Sequence, residues 1–438
     1  MTPTFRIPIF TSPSDDPAIE TRLARRRAWL DPGLLGSVSQ IFAQVAADGD
    51  RAVLATTANY DRVTLGSLCV PEATIERAVR ELSPSLRAAI EVAEERIARV
   101  NRRLLPKDEI VQLEPGVRVG ELYRALDSVA LWIPCRKGPL LSTALMLVTA
   151  ARIAGVARIV ALMPPRADGS ADPGTLAAAR LAGANTCLVG NGVALISAAT
   201  HGTESLPRVA GVFGPGPGGI AVAMGMAGMY GLKTVVGIGP TDCAVLADDS
   251  ADPELVAWDL ASEAEHGADS ASLLVTASAA LAESVAERLA VIVEGAEPSR
   301  RDYLRQVFGD AGRGLLVATP TFAAACALAA RFAPEHLSIV CEPERQTLAL
   351  ETVVAGEVLL GAQTPFAAAN YALGITAVLP TNGGARSLSG ITVRDMLRVT
   401  TLGELDVAAL TRLSPTIEQL AEYEGLPCHA AAVKARIK

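Results

Sequence analysis

Histidine is rare in this chain, and three of its four histidines follow a glutamate within five residues. The segment DPELVAWDLASEAEHG predicts a helix, because Pro253 lies near its start and Gly267 follows its end. Glu263 and His266 are three residues apart and would share one helix face. A carboxylate and an imidazole on one face can both bind a zinc ion. An imidazole that only stabilises the helix C-terminus is the alternative interpretation.

A second acid and imidazole, Glu335 and His336, are adjacent in the segment RFAPEHLSIV. Pro334 interrupts the preceding segment, and an apolar run typical of a strand begins directly afterwards. The pair is therefore predicted in a loop at the mouth of a strand, where it could perform general acid–base catalysis. A salt-bridged surface turn would produce the same pattern.

The other two histidines carry weaker local signals. His429, in EYEGLPCHAAAV, follows Glu424 by five residues and could belong to a solvated tail. His201 precedes Gly202 at the end of a predicted helix, which suits an imidazole that interacts with a helix C-terminus.

Composition excludes several classes of protein. Half of the 438 residues are hydrophobic, which allows a sizeable core, and a net charge of -8 without a Lys/Arg run argues against nucleic-acid binding. Arg152 and Arg158 interrupt the longest apolar stretch, so we expect no membrane span. Seven scattered cysteines without a CxxC pair, and an N-terminus unlike a signal peptide, favour a cytoplasmic protein with reduced thiols.

The middle of the chain alternates short apolar runs with amphipathic or Ala-rich segments. The strand candidates are 158–163, 185–189, 209–213, 234–238, 243–246, 272–275, 314–318, 336–341 and 357–360. The helix candidates between them are 140–155, 174–183, 193–201, 219–231, 253–267, 277–295 and 319–331. Several strands lack polar alternation, as in sheets covered on both faces, so we predict an α/β fold of parallel βαβ units.

The two ends of the chain differ from its middle. Residues 103–124 alternate apolar and polar side chains, which predicts an extended or hairpin segment. After a polar turn at Gly383, we expect a helix from Glu404 into Leu410 and another that ends near Tyr423. The predicted organisation is two Rossmann-like, parallel-sheet domains with small extensions: 1–33 (N-terminal extension), 34–127 with 239–381 (first domain), 128–238 (second domain) and 382–438 (C-terminal extension). Such extensions usually pack on something, and a second subunit is a natural candidate.

Six segments, in order along nearly the whole chain, resemble the histidinol dehydrogenase family. They are SVALWIPCRKGPLLSTALM, HGTESLPRVAGVFGPG, VVGIGPTDCAVLADDSADPELVAWDLASEAEHGADS, FAPEHLSI, LPTNGGARSLSGITVRDML and EYEGLPCHAAAV. The resemblance implies a zinc- and NAD-dependent enzyme that oxidises an amino alcohol to an aldehyde and then to a carboxylate, with zinc as a template for the substrate. It implies that His336 acts on the alcohol proton and Glu335 on the hydrolytic water. It also implies a domain-swapped homodimer, in which a C-terminal histidine completes the partner's site.

The resemblance also implies a set of metal ligands. The family uses Gln, His, Asp and His, which correspond here to Glu263, His266, Asn370 and His429. Exchanging an amide and a carboxylate between the two oxygen ligands keeps the charge of the set constant. Glutamate is a good zinc ligand and asparagine a weak one. We predict that zinc binds; the alternative is a degraded site in which Glu263 and Asn370 are hydrogen-bonded to each other.

The substrate-binding positions depart from the family pattern. Glu424 matches a glutamate that contacts the substrate, and Thr241 replaces a serine but keeps a hydroxyl. Asp242 replaces the glutamate that follows that serine, and Thr376 with Ala377 replaces an Asn-His pair. Because a substrate-facing imidazole is missing, we expect a substrate other than histidinol.

The dinucleotide-binding positions depart further. Trp132 replaces a tyrosine and can still stack on a ring, but it offers an N–H instead of a hydroxyl. Cys135 and Arg136, followed by Lys137, occupy a run in which the family has two glycines that let the backbone approach phosphate. Arg136 and Lys137 could instead bind an anion directly.

Two polar NAD contacts of the family are lost, because a Gln is replaced by Ala194 and an Asn by Pro217. The run GPGPGG, which contains Gly216, precedes a helix and could still hold an anion. We therefore predict zinc-dependent, NAD-linked oxidation of an amino alcohol or related alcohol. A non-redox enzyme on the same scaffold, using Glu335, His336 and a metal, is the first alternative, and a non-catalytic binding protein is the second.

Overall fold

The computed structural model describes residues 5–11, 17–26, 32–216, 218–237 and 239–437. They form two compact units. The first comprises Met1–Leu104 with Asp127–Met396, and the second comprises Leu105–Leu126 with Leu397–Lys438. The chain contains both helices and strands, and parallel sheets are present, which confirms the predicted α/β class. Within these ranges, no helix is both long enough and apolar enough to cross a membrane.

The strands of the described residues are β1 Ile9–Phe10, β2 Glu109–Glu114, β3 Val117–Ala125, β4 Ser128–Trp132, β5 Arg158–Met163, β6 Thr186–Val189, β7 Gly211–Phe213, β8 Asp242–Ala247, β9 Ala271–Thr276, β10 Leu315–Ala318, β11 His336–Val340, β12 Glu357–Leu360 and β13 Leu397–Leu405. The α-helices are α1 Pro17–Arg26, α2 Pro32–Asp48, α3 Asp50–Thr56, α4 Glu72–Arg80, α5 Pro84–Leu104, α6 Leu141–Ala154, α7 Pro173–Ala182, α8 Gly192–His201, α9 Gly219–Met229, α10 Pro253–Ala264, α11 Ala279–Gly295, α12 Pro298–Phe308, α13 Phe322–Phe332, α14 Pro343–Thr352, α15 Phe366–Tyr371, α16 Val407–Tyr423 and α17 Pro427–Lys434.

A six-stranded parallel sheet in the first unit has the order β1-β10-β9-β8-β11-β12. From β8 the chain adds β9 and β10 on one side and then returns to place β11 on the other. Helices cover both faces, so β8, β9, β10 and β11 are buried throughout. The amino ends of β8, β11 and β12 consequently lie side by side at one edge of this sheet.

A four-stranded parallel sheet, also in the first unit, has the order β6-β5-β4-β7. The chain moves outward from β4 through β5 to β6, and then crosses back to place β7 on the other side of β4. Parallel sheets bind ligands at the carboxyl ends of the strands where the direction of progression reverses. That position here is the carboxyl edge of β4 and β7. Strand β7 was predicted from its apolar run, whereas β4, the strand that defines this edge, was not predicted.

Short side chains and helix caps fix the helices around both sheets. Helices α7 and α8 are rich in buried alanine, which lets them lie close to the strands. Asp172 and Asp252 cap α7 and α10 by accepting hydrogen bonds from backbone N–H groups of the first turn. The proline that follows each cap begins the helix with a suitable φ.

One predicted strand, 234–238, is wrong in the part that the structure describes. Residues 234–237 are not in a strand, and Lys233 makes only an isolated bridge with Gly211. Gly237 has a φ of 85°, a left-handed conformation that interrupts an extended chain. Residue 238 lies outside the described residues.

The second unit contains an antiparallel sheet of order β13-β3-β2 and the helices α16 and α17. The hairpin of β2 and β3 confirms the extended segment predicted at 103–124. The predicted helix from Glu404 into Leu410 is wrong at its start, because Glu404 pairs with Arg118 inside the nine-residue ladder of β13 and β3. Asp406 then caps α16, which continues to Tyr423 as one helix through Pro415 instead of two.

Candidate active site

A cavity of about 610 Å³ opens between the two parallel sheets of the first unit. Its walls include these residues singled out from the sequence: Trp132, Arg136, Lys137, Gly216, Thr241, Glu263, His266, Glu335, His336 and Asn370. One wall is the carboxyl edge of β4 and β7, and the other is the amino edge of β8 and β11. The fold therefore brings together, from distant parts of the chain, residues that the sequence identifies as candidate site residues.

His336 lies at the centre of the deeper wall and is only 2% exposed. It is the first residue of β11, not a loop residue, which corrects the expectation drawn from Pro334. Its Nδ1 lies 2.6 Å from Glu357 Oε1, and its Nε2 lies 3.6 Å from Glu335 Oε1. The edge of the ring also packs on Phe366 at 5.8 Å between centroids. A buried imidazole is thus enclosed by carboxylates on both of its nitrogens, which excludes the alternative of a surface turn.

The protonation of this pair follows from burial and from the neighbouring charges. Burial raises the pKa of Glu335 well above its usual range, and the nearby His336 offsets only part of that rise. Burial opposes charge on His336, but the carboxylates of Glu335, Glu263 and Glu357 outweigh it and raise the pKa of the imidazole to about 10. Glu335 and His336 therefore hold exchangeable protons beside the cavity, as general acid–base catalysis requires.

Asp242 fixes the position of Glu335 from the start of β8. The backbone N–H of Glu335 donates to Asp242 Oδ1 at 2.7 Å, and the backbone N–H of Asp242 donates to Glu335 Oε2 at 3.2 Å. Asp242 Oδ2 accepts a further hydrogen bond from the backbone of Asn382 at 2.5 Å. From the sequence, Asp242 is only a substitution for a family glutamate, because no local pattern shows that β8 and β11 are neighbours.

The candidate metal ligands of the first unit lie beside this cluster. Glu263 is 2% exposed, its Oε2 lies 3.6 Å from His266 Nε2, and its Oε1 accepts a hydrogen bond from Asn370 Nδ2 at 3.1 Å. This hydrogen bond between Asn370 and Glu263 is the one expected if the metal site is degraded. Among the described residues, no three His, Cys, Asp or Glu side chains are grouped so that they could hold a metal ion. Glu263 and His266 can supply two ligands, and a metal needs a further donor.

The predicted helix that carries these two residues is shorter than expected. Helix α10 ends at Ala264, and His266 lies in the following turn, with Glu265 at the C-cap. The backbone N–H of His266 still bonds to the carbonyl of Glu263 at 3.4 Å. Both side chains therefore reach the cavity. His266 reaches it from the turn after the helix, not from a helix face shared with Glu263.

The predicted dinucleotide side of the cavity is crowded by its own residues. Trp132 is only 3% exposed, and a Cβ on Gly192 would lie 2.7 Å from its ring, so the indole packs directly on the first turn of α8. The Nε1 of Trp132 is buried without a hydrogen-bond partner among the described residues. Ala194 is buried within α8, and Pro217 lies outside the described residues. Gly216 approaches Ile220 so closely that a Cβ would lie 2.6 Å from its side chain.

Arg136 and Lys137 already have carboxylate partners. Arg136 pairs with Asp61, whose side chain is 3% exposed and also accepts a hydrogen bond from Asn191 Nδ2 at 2.8 Å. Lys137 Nζ lies 2.7 Å from Asp269 Oδ1. Asp61 ends a π-helical turn, Thr57–Asp61, a type of irregularity that is frequent at functional sites. No sequence pattern indicates a role for Asp61, because its partner lies on a loop 75 residues away.

Glu424 and His429, the two remaining candidates, belong to the second unit. Glu424 is the C-cap of α16 and His429 lies in α17, and both side chains are exposed. No role follows from these positions alone.

Comparison with known proteins shows the relationship of the whole chain. The family model described as histidinol dehydrogenase matches residues 25–437. This chain belongs to the histidinol dehydrogenase family. The histidinol dehydrogenase of Synechocystis sp. is 37% identical to this chain, over 92% of both chains. The histidinol dehydrogenase of Idiomarina loihiensis is also 37% identical, over 98% of this chain and 97% of the relative. The crystal structure of histidinol dehydrogenase from Elizabethkingia anophelis matches 98% of both chains with a TM-score of 0.91 and 28% identity.

Family membership confirms the resemblance on which the sequence interpretation depended. The fold around the departures described above is that of the family. The histidinol dehydrogenase scaffold here carries Glu263, Asn370 and Ala377 in its cavity wall, together with a tryptophan at position 132.

Proposed function

We propose that this histidinol dehydrogenase family member oxidises an amino alcohol or a related alcohol in an NAD-linked, zinc-dependent reaction. The observation that carries the proposal is that the buried pair Glu335 and His336 opens into the same cavity as Glu263 and His266. An alcohol placed there would meet acid–base groups and metal-binding groups together. The curated relatives are named for histidinol, which supports an amino alcohol as the substrate class.

The neutral form of His336 accepts the hydroxyl proton of the alcohol at Nε2, because its Nδ1 is occupied by Glu357. That form arises when the imidazole, whose pKa is raised by the surrounding carboxylates, first releases its Nε2 proton. Glu335 takes a proton from water that adds to the aldehyde, and its raised pKa suits that exchange. Asp242 holds Glu335 so that Oε1 faces His336 during both steps. NAD, when bound, would accept a hydride from the carbon in each oxidation.

Zinc would be held by Glu263 and His266, with Asn370 and the C-terminal His429 as further candidates. When bound, the ion would orient the substrate's amine and offset the negative charge of the site. Glu263 and His266 fit this role because a carboxylate and an imidazole are common zinc ligands and lie 3.6 Å apart. Asn370 is a weak donor, and among the described residues no third His, Cys, Asp or Glu joins Glu263 and His266, so the proposed set is completed by the C-terminal histidine of a partner subunit.

A domain-swapped homodimer would supply that histidine. The second unit buries few large apolar side chains, whereas Leu113, Val407, Leu420 and Tyr423 are exposed by 58% or more. A segment with so little core of its own is stabilised by packing on another surface. Sedimentation velocity tests the dimer, and a monomer at micromolar concentration would contradict it.

The domain 128–238, with its four-stranded Rossmann-like sheet, is the proposed dinucleotide-binding domain. Its cavity edge is the topological switch point at which such sheets bind ligands. The substrate need not be histidinol itself, because Ala377 lines the cavity where the family has an imidazole. Glu424 and Thr241 are the proposed substrate contacts, and Thr241 lies in the cavity wall.

The crowding at Trp132 and the pairing of Arg136 with Asp61 favour one alternative, a non-redox reaction at the same acid–base pair. Calorimetric titration with NAD separates the two functions. Binding, followed by NADH formation with L-histidinol or another amino alcohol, supports the dehydrogenase. An absence of binding up to millimolar NAD would overturn it and leave the non-redox function.

A further inference from the structure

We infer that Glu357 is a positioning residue that keeps the proton of His336 on Nδ1 and presents Nε2 to the cavity. The inference rests on the proposed function in one respect, the use of His336 as the acid–base group. Glu357 itself does not line the cavity, so it acts through His336 and does not contact the substrate.

The strand register places the two side chains together. His336 and Glu357 are the first residues of β11 and β12 and are direct partners in that parallel ladder. The backbone N–H of Glu357 donates to the carbonyl of Glu335 at 2.9 Å, which ties the strand to the catalytic pair. The preceding residue, Gly356, lies so close to the Glu335 carbonyl that a Cβ would meet it at 2.6 Å. Glycine therefore allows β12 to approach closely enough for the contact.

The chemistry of the contact determines which nitrogen carries the proton. An ionised carboxylate accepts hydrogen bonds but donates none, so the 2.6 Å contact requires a proton on Nδ1. On the opposite side of the ring, Nε2 lies 3.6 Å from Glu335 and 4.0 Å from Glu263. Phe366 packs against the ring and limits its rotation. Nε2 is thus the nitrogen left to exchange a proton with a molecule in the cavity.

Burying Glu357 for packing alone would be unfavourable. Its side chain is 6% exposed, and its second oxygen, Oε2, has no hydrogen-bond partner among the described residues. An unsatisfied buried carboxylate oxygen costs free energy, so the interaction made by the other oxygen must offset that cost. Within the described part of the chain, the hydrogen-bond partner of the carboxylate is the His336 imidazole, as for the carboxylates that orient histidines in other enzymes.

Imidazole NMR tests this inference without any substrate. The chain has only four histidines, so a 15N-histidine sample gives few signals and a His336→Gln variant identifies those of His336. In the native protein we expect Nδ1 of His336 to show the shift of a protonated nitrogen and a proton far downfield. Glu357→Ala should remove the downfield proton, and Glu357→Gln should keep a weaker hydrogen bond with the proton shifted upfield. Glu351→Gln, which neutralises an exposed carboxylate on α14, is the control and should change neither signal.

Kinetics provide the second measurement. Because Glu357 does not touch the substrate, Glu357→Ala should lower kcat about 10- to 100-fold with little change in KM, and Glu357→Asp or Glu357→Gln should recover part of the loss. A His336 proton signal that is identical in native protein, Glu357→Ala and Glu357→Gln would overturn the inference. If Glu357→Ala does not fold, the comparison of native protein with Glu357→Gln decides. If NAD does not bind, the dehydrogenase proposal fails, while the NMR result still stands or falls independently.

Discussion

Asp242 and Glu335 exchange two hydrogen bonds across neighbouring strands, each through its backbone N–H and the other's carboxylate. The two carboxylates are buried, and each is oriented by the other residue's main chain. This reciprocal arrangement explains how a glutamate next to His336 keeps a fixed direction in a cavity that must admit a substrate.

We predict that Asp242→Asn impairs both folding and turnover. The backbone N–H groups of Glu335 and Asn382 donate to different oxygens of Asp242, and in asparagine one of these positions becomes an NH2 donor, so one N–H loses its partner. We expect a loss of about 1–3 kcal/mol in the free energy of unfolding, measured by urea titration, with a lower kcat. Asp302→Asn on the exposed side of α12 is the control. Native kcat and stability in Asp242→Asn would contradict the positioning role.

Replacing Glu335 by glutamine should separate the two oxidations. The amide retains the shape of the side chain but cannot accept a proton from the hydrolytic water. We expect aldehyde to accumulate and the ratio of NADH formed to alcohol consumed to fall from about two towards about one, since each hydride transfer yields one NADH. Product analysis by mass spectrometry with NADH absorbance measures this ratio. Glu344→Gln, at an exposed position of α14, should leave it unchanged; an unchanged ratio in Glu335→Gln would remove the assigned role.

Zinc content should depend on the side chains at the end of α10. His266→Ala and Glu263→Ala each remove one of the two ligands of the first unit, so the metal measured by mass spectrometry after dialysis should fall substantially. Glu254→Ala, in the first turn of the same helix, is the matched control. His429→Ala should lower zinc content as well if a partner subunit completes the site. Full zinc occupancy in both His266→Ala and Glu263→Ala would exclude the proposed ligands.

The pair formed by Asp61 and Arg136 should behave as a coupled unit. Removing the guanidinium by Arg136→Gly leaves a buried carboxylate without its cation, so thermal unfolding should occur at a lower temperature. Adding Asp61→Asn should restore part of the loss, because no buried charge then remains uncompensated. NAD titration of the double variant should show tighter binding than the native protein, since the Arg136 side chain no longer occupies the cavity wall. If the stability losses of the two substitutions simply add and NAD affinity is unchanged, the two side chains are not coupled and Arg136 does not obstruct the cavity.

Stability at acid pH should depend on Asp248, which follows β8 at the opposite edge of the six-stranded sheet. Although burial opposes its charge, hydrogen bonds from Ser250 and Glu342 and the nearby Arg345 lower the pKa of this carboxyl. Its contribution is therefore present above the unfolded pKa of about 4 and is lost as the pH falls through and below that value. Urea titrations between about pH 3 and pH 7 should show a steeper loss for the native protein than for Asp248→Asn.

The control for that prediction is Asp249→Asn, which alters an exposed neighbour that also contacts Arg345. It should retain the native pH dependence, because exposed ion pairs contribute little to stability. Equal pH dependence in native protein and Asp248→Asn would show that Asp248 is not responsible.

The sequence by itself determined the class of fold, the family and the candidate acid–base and metal-binding residues of the cavity wall. Uninterrupted apolar runs revealed eight of the nine predicted strands, because strands covered on both faces carry that signal locally. Glu335 with His336 and Glu263 with His266 could be found because each pair is close in sequence. The strand predicted at 234–238 was wrong over its described residues, 234–237, since an apolar run does not reveal a left-handed glycine.

Only the tertiary structure decided how those residues are paired. Glu357 bonds to His336 from 21 residues away, Asp242 to Glu335 from 93, and Asn370 to Glu263 from 107. These contacts depend on the order and register of β8, β11 and β12, which arise from packing of the whole sheet. A sequence pattern reports which face of its own strand or helix a side chain occupies. It does not report which other strand becomes the neighbour, and the hydrogen bonds that orient the imidazole and carboxylates are made between neighbours.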